Sequence, residues 1–161
     1  MANVLLVGVP LDFTAALFTD SAPAGNNAFT SHPCFPTGMY VWDLVFISST
    51  RGRNHDERLR VTVRRDNDAD CAAEATDAAV SGATVTLELW RQNNTPGNPN
   101  DDILVGTDTG TTNNGGQFTT DNFRSLPNDT YYGRVVSLSH PGYFWKSGLD
   151  RVTSPTHTIP H

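Results

Sequence analysis

The chain has 161 residues, of which 37% are hydrophobic and 17% charged, with a formal net charge of −6 at pH 7. This length suits one ordinary domain, and the negative charge argues against a general nucleic-acid-binding surface. Lys146 is the only lysine, and Glu57, Glu74 and Glu88 are the only glutamates, so the residues that build helix surfaces are scarce. A helical bundle is therefore excluded, and no apolar run approaches the ~20 residues of a membrane span.

The chain begins with an apolar segment, residues 2–18, which Gly8 and Pro10 interrupt. Pro and Gly inside an apolar run disfavour a helix, so we predict an extended conformation. Residues 19–38 are rich in Pro, Gly, Asn and Ser, which predicts a long loop. We therefore expect residues 1–38 to form an extended arm and loop, which either folds back on its own domain or adds as a strand to a neighbouring copy. The apolar side chains of this arm are Val4, Leu5, Leu6, Val7, Val9, Leu11 and Phe13.

The start of the chain lacks the basic residues and the small-residue cleavage site of a signal peptide. The polar residues are mostly Thr, Asn, Ser and Asp, a composition typical of secreted β-proteins. Either the protein stays inside the cell or the chain is a mature form. The composition favours the second alternative, so we expect an extracellular or cell-surface protein.

Residues 39–150 alternate strand-like runs with turn residues, which predicts an all-β sandwich of about seven strands. Glu57–Arg65 shows the pattern most clearly, because Leu59, Val61 and Val63 recur at every second position. Met39–Ser48 is apolar on both faces, so both faces should be covered. In that strand we expect Val41, Val45 and Ile47 to share one side. The predicted strands are Met39–Ser48, Glu57–Arg65, Ala83–Gln92, Ile103–Thr111, Gln117–Phe123, Asp129–Ser139 and Tyr143–Lys146.

Turn residues mark two further features of the chain. The Asn-Gly step within Asn113–Gly116 predicts a hairpin between the strands on either side. Residues 151–161 contain Pro155 and Pro160 without any periodicity, which predicts a flexible tail.

The chain contains two cysteines, Cys34 and Cys71. The strands between them form a predicted hairpin centred on Gly52 and Arg53, in which opposite residues have a constant sum of residue numbers. The two cysteines fit that sum and would face each other just beyond the open end of the hairpin. A disulfide there would close a loop of roughly 37 residues and stabilise the fold by about 4 kcal/mol. The alternative is two separate buried thiols.

Several short motifs follow one another in the strand region: Val80–Val85, Gly106–Asp108, Gly115–Phe118 and Leu126 with Thr130–Tyr132. In this order they resemble the immunoglobulin-like and fibronectin-III-like accessory modules of secreted bacterial proteins, with related signatures in transthyretin-like and carboxypeptidase-regulatory-like domains. A second set is similar to modules appended to subtilisin-type secreted proteases: Met39–Leu44, Arg60–Val63 and Ser137–Tyr143. The resemblance implies an immunoglobulin-like Greek-key sandwich over residues 39–150.

One part of the resemblance concerns a single tyrosine. Leu126, Thr130 and Tyr132 have the Leu-x₃-Thr-x-Tyr spacing of a fibronectin-type tyrosine corner. By that resemblance the Tyr132 hydroxyl would hydrogen-bond the backbone at the crossover between the sheets. Arg134 occupies a position that is usually apolar, which leaves the register after Thr130 open.

The sequence contains none of the motifs of nucleophilic catalysis, zinc hydrolysis or nucleotide binding, so we expect no enzyme activity. His140 is expected to cap a turn, with pairing to a serine and an aspartate as the alternative. Calcium is the one cofactor that the sequence raises. Asp66, Asp68 and Asp70 place carboxylates at alternate positions, and Ca²⁺ binds such hard oxygens. The alternative is an Asx-rich turn after a strand.

Two groups of side chains are candidates for ligand binding. Arg58, Arg60 and Arg64 would share one sheet face and could bind an acidic polysaccharide or a carboxylate-rich partner. The alternative is a solvated face whose arginines pair with acidic residues across strands. Trp90 lies on the polar side of its strand, where an exposed ring could stack on a sugar. The alternative for the aromatic residues is that the arm covers them as a second core.

These observations predict a non-catalytic, extracytoplasmic structural or adhesion module that acts by display. Its partner would be another protein or a second copy, and strand addition by the arm would make the chain a subunit of a surface assembly or filament. A carbohydrate-binding module with a polysaccharide ligand is one alternative, and an accessory domain of a secreted hydrolase is another.

Overall fold

The computed structural model describes residues 38–51, 54–68, 70–93, 97–152 and 155–159, all within the unit His32–His161. The predicted apolar arm lies outside the described residues. The described chain is nearly all β, with one 3-10 turn at Ser147–Leu149. Its strands are β1 (Gly38–Arg51), β2 (Asn54–Arg65), β3 (Ala78–Ala79), β4 (Thr84–Arg91), β5 (Ile103–Thr111), β6 (Gln117–Thr119), β7 (Phe123–Leu126), β8 (Thr130–Ser139), β9 (Phe144–Trp145) and β10 (Thr156–Thr158).

The strands form two sheets, which confirms the prediction of an all-β fold with two layers. The first sheet has the order β3-β2-β1-β9, and β6 and β7 also pair with β2. The second sheet has the order β10-β8-β4-β5. No helix among the described residues has the length and apolarity needed to cross a membrane.

The core lies between the two sheets and follows the predicted alternation. Leu59, Val61 and Val63 of β2 are fully buried, and so are the inward side chains of β4. These side chains belong to one apolar cluster that draws on both sheets. Burying alternate side chains from facing strands is what drives two sheets to pack together.

Glycines in the second sheet allow the sheets to approach closely. A Cβ added to Gly106 would lie 2.9 Å from the ring of Phe123, and one added to Gly133 would lie 2.7 Å from Leu59. A Cβ on Gly110 would overlap the ring of Phe118. Large side chains of the first sheet therefore occupy the space that these glycines leave empty.

A β-bulge at Trp42 changes the face that β1 presents to the core. Residue pairs from Asp43↔Thr62 to Arg51↔Asn54 keep the predicted sum, but on the other side of Trp42 the register shifts by one residue. Val41 consequently lies on the same side as Leu44, and both are buried. The prediction that Val41 shares a side with Val45 and Ile47 is therefore wrong, because the bulge adds a residue that simple alternation does not count.

The Asn113–Gly116 segment forms a turn, with the Gly116 N–H donating to the Asn113 carbonyl over 2.9 Å. Gly116 has φ 71°, which suits glycine. The hairpin prediction is nevertheless wrong, because β5 belongs to the second sheet and β6 to the first. The turn carries the chain from one sheet to the other, and Phe118 then packs over Gly110.

The prediction of a flexible tail is wrong for the described residues 155–159. β10 pairs with β8 in an antiparallel register that places Thr156 opposite Tyr132. Ile159 is buried in the core, and its N–H donates to the Asp129 carbonyl over 2.9 Å. Backbone pairing and one buried apolar side chain hold this segment in place, and neither depends on a periodic sequence pattern.

Candidate functional site

Aromatic side chains meet on the outer face of the second sheet. Trp90 of β4 lies directly opposite Leu104 of β5 on one side and Tyr132 of β8 on the other. Directly opposite residues point to the same face of a sheet. The rings of Trp90 and Tyr132 are nearly parallel, with an interplanar angle of 7° and centroids 6.3 Å apart. We call these three outward side chains, the aliphatic Leu104 and the aromatic Trp90 and Tyr132, the aromatic row.

Alternation along β8 explains why Tyr132 faces outward. Tyr131 is fully buried, and its hydroxyl donates to the Pro127 carbonyl over 2.6 Å. The tyrosine corner predicted at Tyr132 is therefore wrong by one residue. Alternation could have found Tyr131, because the pairing of β8 with β4 places Gly133 opposite the inward Leu89, and Tyr131, two residues earlier, then also faces inward.

An acidic side chain fixes the indole of Trp90. Glu88 Oε2 accepts a hydrogen bond from Trp90 Nε1 over 2.8 Å and another from Arg134 over 2.7 Å. Burial alone would raise the pKa of Glu88, but these hydrogen bonds and the charge of Arg134 outweigh it and lower that pKa. The Arg134 guanidinium also lies 5.3 Å from the Trp90 ring centroid. The ring is thus held in place before any ligand arrives.

A depression of about 240 Å³ adjoins the Tyr132 end of the row. The Tyr132 hydroxyl donates to Asp102 Oδ2 over 2.8 Å. Burial and the Asp102 carboxylate raise the pKa of Tyr132 to about 12, so the phenol is neutral at physiological pH. The depression is lined by Gln92, Gly97, Pro99, Asp102, Tyr132 and Thr156. The site therefore combines flat apolar rings with hydrogen-bonding groups at its border.

The predicted arginine surface is divided between two roles. Arg64 donates to the carbonyl oxygen of Asp77 over 2.8 Å and stacks 4.6 Å from the Trp42 ring centroid, so it is held by the fold. Arg58 and Arg60 lie opposite Ile47 and Val45 on the outer face of the first sheet and are half-buried. The structure therefore leaves Arg58 and Arg60 as the members of the predicted set that a ligand could contact.

The predicted calcium ligands lie close together in the turn after β2. One carboxylate oxygen from each of Asp66, Asp68 and Asp70 lies within 4.8 Å of the others. Asp70 Oδ1 also accepts from the Ala72 N–H over 2.7 Å, which is the hydrogen bond of an Asx turn. Asp66 is fully buried, and Lys146 Nζ lies 4.0 Å from its Oδ2. The donor set is compatible with a hard cation, and calcium binding stays a prediction.

Cys71 lies in this same turn, and its N–H donates to Asp66 Oδ2 over 3.3 Å. Cys34 lies outside the described residues. The Cys34–Cys71 disulfide therefore stays a prediction, which peptide mapping with and without reduction would test.

A Ser–His–Glu grouping that the sequence did not suggest anchors β10. His157 Nε2 lies 3.4 Å from Oε1 of the buried Glu57 and 3.3 Å from Ser48 Oγ. Ser48 Oγ in turn donates to Glu57 Oε2 over 2.7 Å. Both partners contact the same ring nitrogen, whereas a catalytic triad uses one nitrogen for the nucleophile and the other for the acid. The grouping therefore has the geometry of a structural contact.

His140 occupies the turn after β8. Its Nδ1 accepts from the Gly142 N–H over 3.0 Å, and its ring stacks on Tyr143 with centroids 4.7 Å apart. This is the turn-capping position expected for it.

A second depression, of about 320 Å³, lies beside β1 and the segment after β9. Asp150 Oδ1 accepts from the Val41 N–H over 2.6 Å and from Trp145 Nε1 over 3.1 Å. Burial raises the pKa of Asp150, although these two hydrogen bonds oppose that effect. Since both donors are satisfied by Asp150, the carboxylate serves to hold this segment against β1.

Comparison with known proteins adds no relationship to this geometry. No protein-family model matches the chain, and neither a curated protein nor a solved structure matches it.

Proposed function

We propose that the chain is a non-catalytic binding module whose ligand is a glycan held by the aromatic row. The observation that carries the proposal is the pair of nearly parallel rings, Trp90 and Tyr132, on the outer face of a sheet. Such rings offer a large, rigid apolar surface with few rotatable bonds. Pyranose rings carry faces of C–H groups that match a flat aromatic surface, and hydroxyls at their edges that match polar neighbours.

The surroundings of the row support the proposal. Glu88 accepts a hydrogen bond from the indole and is itself held by Arg134, so little side-chain entropy remains to be lost on binding. Asp102 lies beside Tyr132 and accepts a hydrogen bond from its hydroxyl. An ionised carboxylate has further lone pairs for the hydroxyls of a sugar.

We also propose that the sheets are connected as in an immunoglobulin-like Greek key, that the protein is extracellular or at the cell surface, and that the rigid sandwich displays the site. The resemblance of the strand motifs to secreted accessory modules supports them, as does the composition rich in Thr and Asn.

The test measures glycan binding by two ring variants and a matched control. Trp90→Ala and Tyr132→Ala should each weaken the binding of an array-identified glycan by about tenfold or more, since stacking energies are of this order. Phe144→Ala is the control, because Phe144 is 47% exposed and lies in the first sheet. Unchanged binding in both ring variants would refute the proposal.

A second candidate is the assembly role, favoured by the apolar residues Val4 to Phe13 in the sequence. Strand addition would make the arm a donor to a neighbouring copy. The full chain should then have a solution mass above that of a monomer. Deletion of residues 2–18 should leave its thermal stability unchanged and reduce that mass to the mass of a monomer. A lone monomer that loses stability on deletion would show instead that the arm belongs to its own domain.

A further inference from the structure

We propose that Lys146 and Asp66 are joined by an isopeptide bond, an amide between the lysine Nζ and the side-chain carboxyl carbon of Asp66. The bond would form within the folded chain, and it is independent of the glycan site.

The burial of Lys146 is the first observation. It is the only lysine of the chain, and its side chain is only 14% exposed, whereas lysines usually keep the ammonium in water. In the described part of the chain its Nζ has no hydrogen-bond acceptor, and the Phe144 ring centroid lies 5.6 Å away. An ammonium in such surroundings loses its hydration without gaining hydrogen bonds.

The carboxylate beside this ammonium is also poorly paired. Asp66 is fully buried, and its Oδ2 lies 4.0 Å from Lys146 Nζ, which is beyond hydrogen-bonding distance. Its Oδ1 has no hydrogen-bond partner among the described residues. Two desolvated charges at this separation are unfavourable, and an amide would replace them with one neutral group.

The backbone places the two side chains next to each other. Asp66 follows β2, and its N–H donates to the Gly38 carbonyl at the start of β1 over 3.0 Å. Lys146 follows β9, and its N–H donates to the Met39 carbonyl over 2.8 Å. A Cβ added to Gly38 would lie 2.6 Å from Cδ and Cε of Lys146, so the lysine side chain crosses β1 where a glycine leaves room. Two reacting groups held in this way have a high effective concentration.

The reaction balances without a co-reactant. The ammonium of Lys146 loses a proton, and its nitrogen then attacks the carboxyl carbon of Asp66. The N–C bond forms and one C–O bond breaks, so two of the three ammonium protons leave with the oxygen as water and the third stays on the amide nitrogen. Asp68 and Asp70 each place a carboxylate oxygen within 4.8 Å of an Asp66 oxygen, and they can carry the proton to the leaving oxygen. Both are exposed, so the water can escape.

The test is mass spectrometry of the purified full chain after reduction and denaturation. We expect a mass below that of the sequence by about 18 Da, which is one water. A tryptic digest should contain peptides 66–91 and 135–151 as one linked species, without cleavage after Lys146. Lys146→Arg and Asp66→Ala should each restore the full mass of their own sequences. Asp121→Asn, an exposed aspartate elsewhere, is the matched control and should keep the loss.

Amine labelling provides a readout that does not depend on the folding of any variant. Because Lys146 is the only lysine, an amine-reactive ester should label the denatured original chain at no site other than its N-terminus. A chain of full mass that is labelled at Lys146 and cut after it by trypsin would overturn the proposal. Loss of one water without the linked peptides would overturn it as well, because an aspartate that cyclises onto its own backbone loses the same mass.

Discussion

The two adjacent tyrosines of β8 provide a sharp test of the register, because neighbouring residues of a strand face opposite sides of the sheet. Tyr131 is fully buried and donates to the Pro127 carbonyl over 2.6 Å, whereas Tyr132 is half-buried on the outer face. Tyr131→Phe removes the partly buried hydrogen bond to the Pro127 carbonyl and leaves the ring in place. The cost should be about 1 kcal/mol of the free energy of unfolding. Pro127 is exposed, so water can reach its carbonyl and no larger penalty is expected.

Tyr132→Phe is the matched variant and should cost half as much or less, because the lost bond to Asp102 lies near solvent. Urea denaturation at pH 7 would measure both free energies, and thermal melts should show a drop of about 2–4 °C for Tyr131→Phe in a chain of this size. The slope against urea should not change, since neither variant alters the exposed surface. A larger loss in Tyr132→Phe than in Tyr131→Phe would refute the register of β8.

Three further predictions concern pH and packing. The pKa of Tyr132 rises from about 10 in the unfolded chain to about 12 in the fold. The stability that the neutral phenol contributes is therefore full below pH 10 and is lost as the pH rises toward 12. Thermal melts between pH 8 and 11.5 should show that the melting temperature falls less with rising pH in Tyr132→Phe than in the original chain. Gly110→Val should cost about 2 kcal/mol or more by overpacking, measured by urea denaturation against Gly148→Ala, where an added Cβ meets open space. Asp150→Ala should lower the free energy of unfolding by about 2 kcal/mol, because it leaves the Trp145 indole N–H and the Val41 backbone N–H without their acceptor. Asp150→Asn keeps an acceptor oxygen and should cost clearly less in the same assay. Equal costs would contradict the role of Asp150 as the acceptor for these two groups.

The sequence predicted those parts of the fold in which side-chain alternation decides the outcome. Leu59, Val61 and Val63 are buried as expected, and the distal half of the first hairpin keeps the expected register. The bulge at Trp42 was not predictable, because an extra residue in an all-apolar strand leaves no gap in the pattern. β10 was missed for a different reason: among residues 155–159 only Ile159 is buried, so the sequence there shows no alternation of apolar side chains.

The candidate site was predicted in part. Alternation along β4 places Trp90 on the outer face, but the spacing motif of the tyrosine corner points to its partner Tyr132 instead of Tyr131. The depression beside Tyr132 also depends on Thr156, which the sequence assigned to a flexible tail. A site assembled from three strands and a turn depends on pairings between distant residues, and a single sequence does not specify them.

The bulge at Trp42 also determines how the first strand tolerates mutation. Before it the odd-numbered positions, such as Val41, are intolerant of charge; after it the even-numbered positions, such as Leu44, take over. Removing Trp42 would restore regular alternation, because Val41 would then adjoin Asp43 and would still lie opposite Val63, with its side chain toward the interior. Deletion of Trp42 should therefore be tolerated better than deletion of another residue of β1, which would turn the buried side chains of one half of the strand toward solvent.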